Sequence, residues 1–168
     1  MASARVVIAD TGPLLTLSWI HRIGLLDDLF DRVVVPFDVW AELAHRPDAS
    51  EPPQVAALEH LEFSPPEFVV PEEAALLDPG EQAVVALAAR RFPQAVVLID
   101  EKRGRRAATA LGLHVVGSLG VLLEGKRHGL VASVAPLVSE LISSGVYFGP
   151  LLVRRVLEAA GEQDSGQH

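Results

Sequence analysis

Short apolar runs and helix-periodic stretches take turns along this chain, and that alternation constrains the fold more than any other feature. Arg5-Val6-Val7-Ile8-Ala9 is a β-rich run closed by Asp10-Thr11-Gly12-Pro13. Leucines and isoleucines at 14, 17, 20, 23 and 26 follow at near-helical spacing, which predicts a helical stretch over 14–30 broken at Gly24. A strand is predicted over 32–35, stopped by Pro36, and then a helix over 38–45 with Asp38 as its cap. Later, helices over 81–91 and 103–111 alternate with strands over 95–99 and 114–116, and helices over 119–126, 135–143 and 151–160 complete the pattern. Unbroken apolar strands fit a parallel sheet buried on both faces, and strand–helix alternation implies right-handed crossovers. The expected fold class is α/β, a three-layer α/β/α domain around a central, mainly parallel sheet.

Between residues 46 and 78 the texture changes. Prolines at 47, 52, 53, 65, 66 and 71 mark an irregular excursion, predicted to hold a short helix over 54–61 and a strand at 68–70. Neither flank would make a domain alone, so a single domain is expected over 1–161, with the polar residues 162–168 as a tail. A length of 168 residues and 49% apolar content fit that reading and argue against disorder. The chain has no cysteine, which excludes a disulfide scaffold and cysteine-type zinc fingers. Every apolar run is broken well short of the roughly 20 residues of a membrane helix, and the first residues carry no signal-peptide pattern, so a cytoplasmic protein without membrane contact is expected. Fourteen basic against 22 acidic side chains give a net charge of −8, which opposes non-specific binding to nucleic acid.

The carboxylates fall where such a sheet places its ligands. Sites of this class form at the carboxyl ends of the strands, where the following helices begin. Asp10 ends the first strand and Asp100 the strand over 95–99; Glu42 lies early in the helix after 32–35, and Glu81 opens the helix leading to 95–99. All four belong to one rim. Carboxylates gathered on one edge repel one another, and a cation relieves the repulsion. Oxygen ligands with no cysteine and no paired histidines suit Mg²⁺ or Mn²⁺ better than zinc.

Each acid also has a structural reading. Asp78-Pro79-Gly80-Glu81 is a capping box with Glu81 reaching back, Glu42 could favour the positive end of its helix, Asp10 could form a turn, and Asp100-Glu101 could start a solvated helix. At this level both readings stand, and the functional one rests on joint placement.

At these residues the chain resembles the PIN-domain family of metal-dependent ribonucleases, including the VapC-like toxins, and looks closest to a prokaryotic branch of PIN-like proteins. The pieces that carry the resemblance are Val7-Ile8-Ala9-Asp10-Thr11-Gly12-Pro13-Leu14, Val39-Trp40-Ala41-Glu42-Leu43, Gly80-Glu81-Gln82-Ala83 and Leu98-Ile99-Asp100-Glu101, then Arg105, Gly112-Leu113 and the run from Val116 to Leu122. Together they span roughly residues 5 to 160. The resemblance implies that Asp10, Glu42, Glu81 and Asp100 are the catalytic, metal-binding acids. Thr11 would support the first carboxylate, Ser118 would lie beside the site, and Glu101, directly after Asp100, would be a supporting acid. Glu81 stands where many PIN nucleases place Asp, and Ser118 where relatives often carry Thr. The implied activity is Mg²⁺- or Mn²⁺-dependent endonucleolytic hydrolysis of RNA, leaving a 5′-phosphate and a 3′-hydroxyl. The implied partners are an RNA substrate, a cognate antitoxin protein and a second copy of the chain.

RNA needs a basic strip, and Lys102, Arg103, Arg105 and Arg106 supply one directly after Asp100, unless they form a solvated helix face. Leu137, Leu141, Leu151, Leu152, Val156 and Leu157 supply either a dimer surface or a core. Trp19 and Trp40 sit in apolar helical stretches and read as core or interface. Two other function classes remain in view: a catalytically weak PIN-like binding or assembly module, and a metal-dependent phosphoesterase acting on DNA or small substrates.

Overall fold

A computed structural model describes residues 3–46, 52–67 and 69–162. Among the described residues, five strands form one sheet: β1 (Val6–Ala9), β2 (Arg32–Pro36), β3 (Leu61–Ser64), β4 (Val96–Leu98) and β5 (His114–Val116). Their order is β3-β2-β1-β4-β5 and every pairing is parallel. Helices lie on both faces, giving the three-layer α/β/α architecture. Val7, Ile8, Ala9, Val33, Val35, Val97, Leu98 and Ile99 have no exposed surface. Strands buried on two sides leave no place for alternating polar residues, hence the unbroken apolar runs.

From β1 the chain steps outward to β2 and β3, then returns across the sheet to β4 and steps out to β5. The order therefore reverses between β1 and β4, and the crevice at their carboxyl ends is the switch point of the sheet. Ala9 pairs with Leu98 there, and the Asp10 N–H donates to the Leu98 carbonyl at 3.0 Å.

The helices are α1 (Thr11–Trp19), α2 (Leu25–Leu29), α3 (Phe37–Ala44), α4 (Pro52–Ala56), α5 (Pro79–Arg91), α6 (Lys102–Ala110), α7 (Ser118–Arg127), α8 (Ala135–Ser143) and α9 (Pro150–Ala159). Two of these details correct the sequence reading. The break in the first helical stretch comes at His21 as well as Gly24: His21 takes φ +53°, and the Arg22 N–H returns to the Leu17 carbonyl at 2.8 Å, which closes α1. Asp38 is not a cap; Pro36 holds the N-cap position and Asp38 lies in the first turn, where its charge still suits the helix dipole. Trp19, read as core or interface, is 38% exposed.

The largest departure is β3. It occupies 61–64, overlapping the end of the helix expected over 54–61, while α4 stops at Ala56. The Asp27 carboxylate accepts the N–H groups of Glu59 and His60 at 2.8 and 3.0 Å and turns the chain into the sheet. Phe63 then meets Trp40 edge-on at 4.9 Å and stacks with Phe37 at 6.1 Å. Val69 and Val70, expected in a strand, are exposed and lie outside the sheet; Phe68 lies outside the described residues.

The chain gathers into two compact units, one up to Ser118 and one from Leu119 onward. Within the second, Leu137, Leu141 and Val156 are buried, whereas Leu151 and Leu152 are 57% and 48% exposed. Glu162, read from the sequence as the start of a tail, is held firmly. Its carboxylate accepts Lys126 Nζ at 2.8 Å, the N–H groups of Val134 and Ala135 at 2.8 and 3.0 Å, and the Ser133 hydroxyl. It thus caps α8, whose own N-cap residue is a valine with no side-chain bond to offer. Burial pushes the Glu162 carboxyl up, but the Lys126 ammonium and the three other donors outweigh it and bring it down to about 2. Residues 163–168 of the expected tail lie outside the described residues. Glu162→Ala is expected to cost the second unit about 2–3 kcal/mol, a lost cap plus a lost charged hydrogen bond. Hydrogen exchange at the first amides of α8 checks this, and unchanged protection there refutes it.

Candidate functional site

The first strand delivers Asp10 to the switch point. Asp10 stands at the N-cap position of α1 with an extended backbone, yet its side chain makes no capping hydrogen bond. It is only 6% exposed. Burial drives its carboxyl up to about 7; the Thr11 N–H opposes this, and the fields of Glu81, Glu42 and Asp100 add to the rise. Three further carboxylates, from α3, α5 and the end of β4, thus bear on one buried acid.

Glu42 is the sixth residue of α3, too far from the N-terminus for the dipole to explain it. Its carboxylate accepts the Thr11 hydroxyl at 2.6 Å and the Gly80 N–H at 3.0 Å. Thr11 was expected to support the first carboxylate. Its hydroxyl goes instead to Glu42, and only its backbone N–H favours Asp10. Asp100 accepts both the N–H and the hydroxyl of Ser118, at 2.7 and 2.5 Å, and Ser118 itself is fully buried. Ser118 is therefore bonded to the acid rather than merely beside it.

Glu81 is 7% exposed, and its Oε1 is buried with no hydrogen-bond partner. Burial raises its carboxyl; the Asp78 N–H opposes the rise, the Asp78 and Glu101 carboxylates add to it, and Arg103 lowers it. The Asp78 side chain caps nothing, so the expected capping box is not closed from that side, and the Asp78 N–H acts on Glu81 as a favourable dipole. Glu81 serves the helix start and lies in the acidic group as well. An orphaned buried carboxylate oxygen is costly in any fold, and such groups gather where function requires them.

The donor set is all oxygen, which suits a hard divalent cation, and the Glu81 Oε1 is buried without a hydrogen-bond partner. Among the described residues, however, no three Asp, Glu or His side chains are set to close on one ion. Glu42 and Asp100 direct their oxygens at Thr11, Gly80 and Ser118.

A family model described as a PIN domain, DUF3368, matches residues 6–162. The chain belongs to the PIN-domain family. Among curated proteins none matches it significantly. The PIN-domain match covers every residue of the acidic rim, and the fold expected from the resemblance is the fold observed.

The basic strip is only partly available. Arg103 donates to the Leu76 carbonyl at 2.9 Å, and Arg105, half-buried, to the Ile99 carbonyl at 3.0 Å. Lys102 and Arg106 are exposed on α6. Glu101 occupies the N-cap position of α6, exposed and without a side-chain capping bond. The sequence reading missed Gly80 as a ligand of Glu42. The signal was faint: a glycine at the second position of a helix reads as tolerance, not as a donor.

Proposed function

We propose that this PIN-domain protein is a metal-dependent endoribonuclease working at Asp10, Glu42, Glu81 and Asp100. The observation that carries the proposal is Asp10, a nearly buried carboxyl at the switch point, lifted to about 7 by burial and by three neighbouring acids. Such an arrangement costs stability, so its use lies in chemistry. Held by these oxygens, Mg²⁺ or Mn²⁺ would supply a water of lowered pKa and charge neutralisation at the scissile phosphate. The chain's own contribution is placement. Thr11 and Gly80 orient Glu42, Ser118 orients Asp100, and the buried Glu81 Oε1 is committed to no hydrogen-bond donor. Lys102 and Arg106 offer cations to the RNA backbone. The protein is read as the toxin of a cytoplasmic toxin–antitoxin pair that works as a homodimer, its antitoxin covering the acidic rim.

A second reading is a PIN-fold assembly module that hydrolyses nothing. It is favoured by one observation, that no three acids among the described residues are set around a single ion. One experiment separates the readings. RNA, single-stranded DNA and a small phosphodiester are incubated with the protein under Mg²⁺ and under Mn²⁺, with EDTA controls. The expected result is divalent-dependent cleavage of RNA alone. Cleavage of the small diester with RNA untouched favours the phosphoesterase, and inertness toward all three leaves the assembly module.

A further inference from the structure

Three glycines stand against three of the four acids, and none is needed there for its backbone. Gly80 is the second residue of α5, Gly104 the third of α6, and Gly117 links β5 to α7. The glycines in the left-handed region are others, at 112, 129, 145 and 161. Inside a helix, glycine is a poorer former than alanine, so Gly80 and Gly104 weaken the helices they open. Their benefit is space.

A methyl group on Gly80 would lie 2.6 Å from Glu42 Oε1 and 2.8 Å from Oε2. On Gly104 it would lie 2.7 Å from Glu81 Oε1 and 2.9 Å from Ile99 Cγ2. On Gly117 it would lie 2.8 Å from Asp100 Oδ1 and 2.9 Å from Arg105 Nη1. Gly12 and Gly24 have nothing within 4 Å of the same position. Ordinary contacts of this kind do not come below 3.0 Å. Apart from Ile99, the atoms in the way are the far ends of long or pivoting side chains, so an added methyl displaces a carboxylate before it disturbs the backbone.

We propose that Gly80, Gly104 and Gly117 are positioning residues of the acidic site, each leaving open the place that a carboxylate oxygen of Glu42, Glu81 or Asp100 occupies. The inference rests on the proposed function and adds to it: the site is shaped by what three residues lack. Gly80 contributes twice, since its N–H also donates to the Glu42 carboxylate it admits.

The test has a part that needs no metal. Thermal unfolding in EDTA is measured for Gly80→Ala, Glu42→Ala and the double variant, and likewise for Gly104→Ala with Glu81→Ala. If the methyl and the carboxylate compete for one place, each alanine raises Tm more when its acid is absent, with a mismatch of about 3 °C or more in the cycle. Additive Tm shifts in both cycles overturn the proposal. The Gly80 cycle decides if Ile99 prevents Gly104→Ala from folding. The second part is Mn²⁺ calorimetry without RNA. Gly80→Ala, keeping its Tm, is expected to bind Mn²⁺ about tenfold or more weakly, in the range that loss of an orienting group costs a metal site, while Gly24→Ala binds as the wild type does. Unchanged affinity in Gly80→Ala overturns the positioning role. A wild-type protein that neither binds Mn²⁺ nor cleaves RNA counts against the proposed function alone, because the cycles judge the glycines without any ion.

Discussion

Asp10→Asn is expected to remove divalent-dependent RNA cleavage by about a thousandfold or more, while leaving the fold intact and more stable. The first half follows from charge. A metal held by carboxylates supplies several kcal/mol of stabilisation to the developing charge, and each 1.36 kcal/mol is a factor of ten in rate. Asparagine keeps the size and shape of Asp10, so the change removes the charge and little else. The second half follows from burial. Asp10 is 6% exposed and sits in the field of Glu81, Glu42 and Asp100, so an amide there is relieved of repulsion and of most of the desolvation cost. Cleavage rates with Mn²⁺ and unfolding in EDTA, measured on the same preparations, check both halves. Undiminished cleavage in the variant refutes the mechanism, and a destabilised variant refutes the reading of Asp10 as a costly buried acid.

The metal-free protein is expected to lose stability as pH rises from about 4 to about 7. The Asp10 carboxyl lies near 7 in the folded chain against an ordinary 3.8, so in that window the folded state keeps a proton that the unfolded chain has released. Raising the pH then favours the unfolded state, by at most roughly 4 kcal/mol for a shift of this size. Glu81, also raised, acts in the same direction. Glu162 acts oppositely in a lower window: its carboxyl is held at about 2 against 4.5, so its contribution is present above pH 4.5 and lost as pH falls toward 2. Denaturant unfolding in EDTA at pH 5 and pH 8 separates the two, and the fall between those values should shrink in Asp10→Asn. Added Mn²⁺ should restore stability at pH 8 by binding the folded state. A wild-type protein that is more stable at pH 8 than at pH 5 contradicts the assignment.

The two predictions draw on one trade. The acidic rim is a place where the fold gives up stability, and its supports limit the loss. Among the described residues, Glu42 and Asp100 each accept from two donors, and none of those donors is basic. Arg105 stands near Asp100, against the same open position at Gly117, but is bonded to the Ile99 carbonyl. Neutral donors orient these carboxylates without cancelling their charge, which keeps that charge available to a cation.

The residues of the rim could be found in the sequence because they depend on local order. An acid directly after a buried apolar run must emerge at the end of that strand, and parallel strands joined by helices bring all such ends to one edge. The same logic placed four of the five strands and the helices over 135–143 and 151–160 within a residue or so of their observed bounds. It failed at β3, where the apolar–polar alternation of Leu61-Glu62-Phe63-Ser64 is only four residues long and gives way to the helix expected over 54–61; β2 offers the open edge and Asp27 turns the chain toward it. Both influences lie far from the segment along the chain, so four alternating residues could not by themselves decide between strand and helix end.

What the sequence determined by itself was the class of fold, the order of its elements apart from β3 and the rim on which four carboxylates would gather, because each follows from the period and punctuation of a few consecutive residues. Only the tertiary structure decided which donor each carboxylate meets: Thr11 with Glu42 rather than Asp10, Gly80 with Glu42 across 38 residues, and Glu162 with the start of α8. Those pairings are set by angstrom-scale register between distant segments, and by atoms that glycine does not have. A one-dimensional pattern holds neither kind of information.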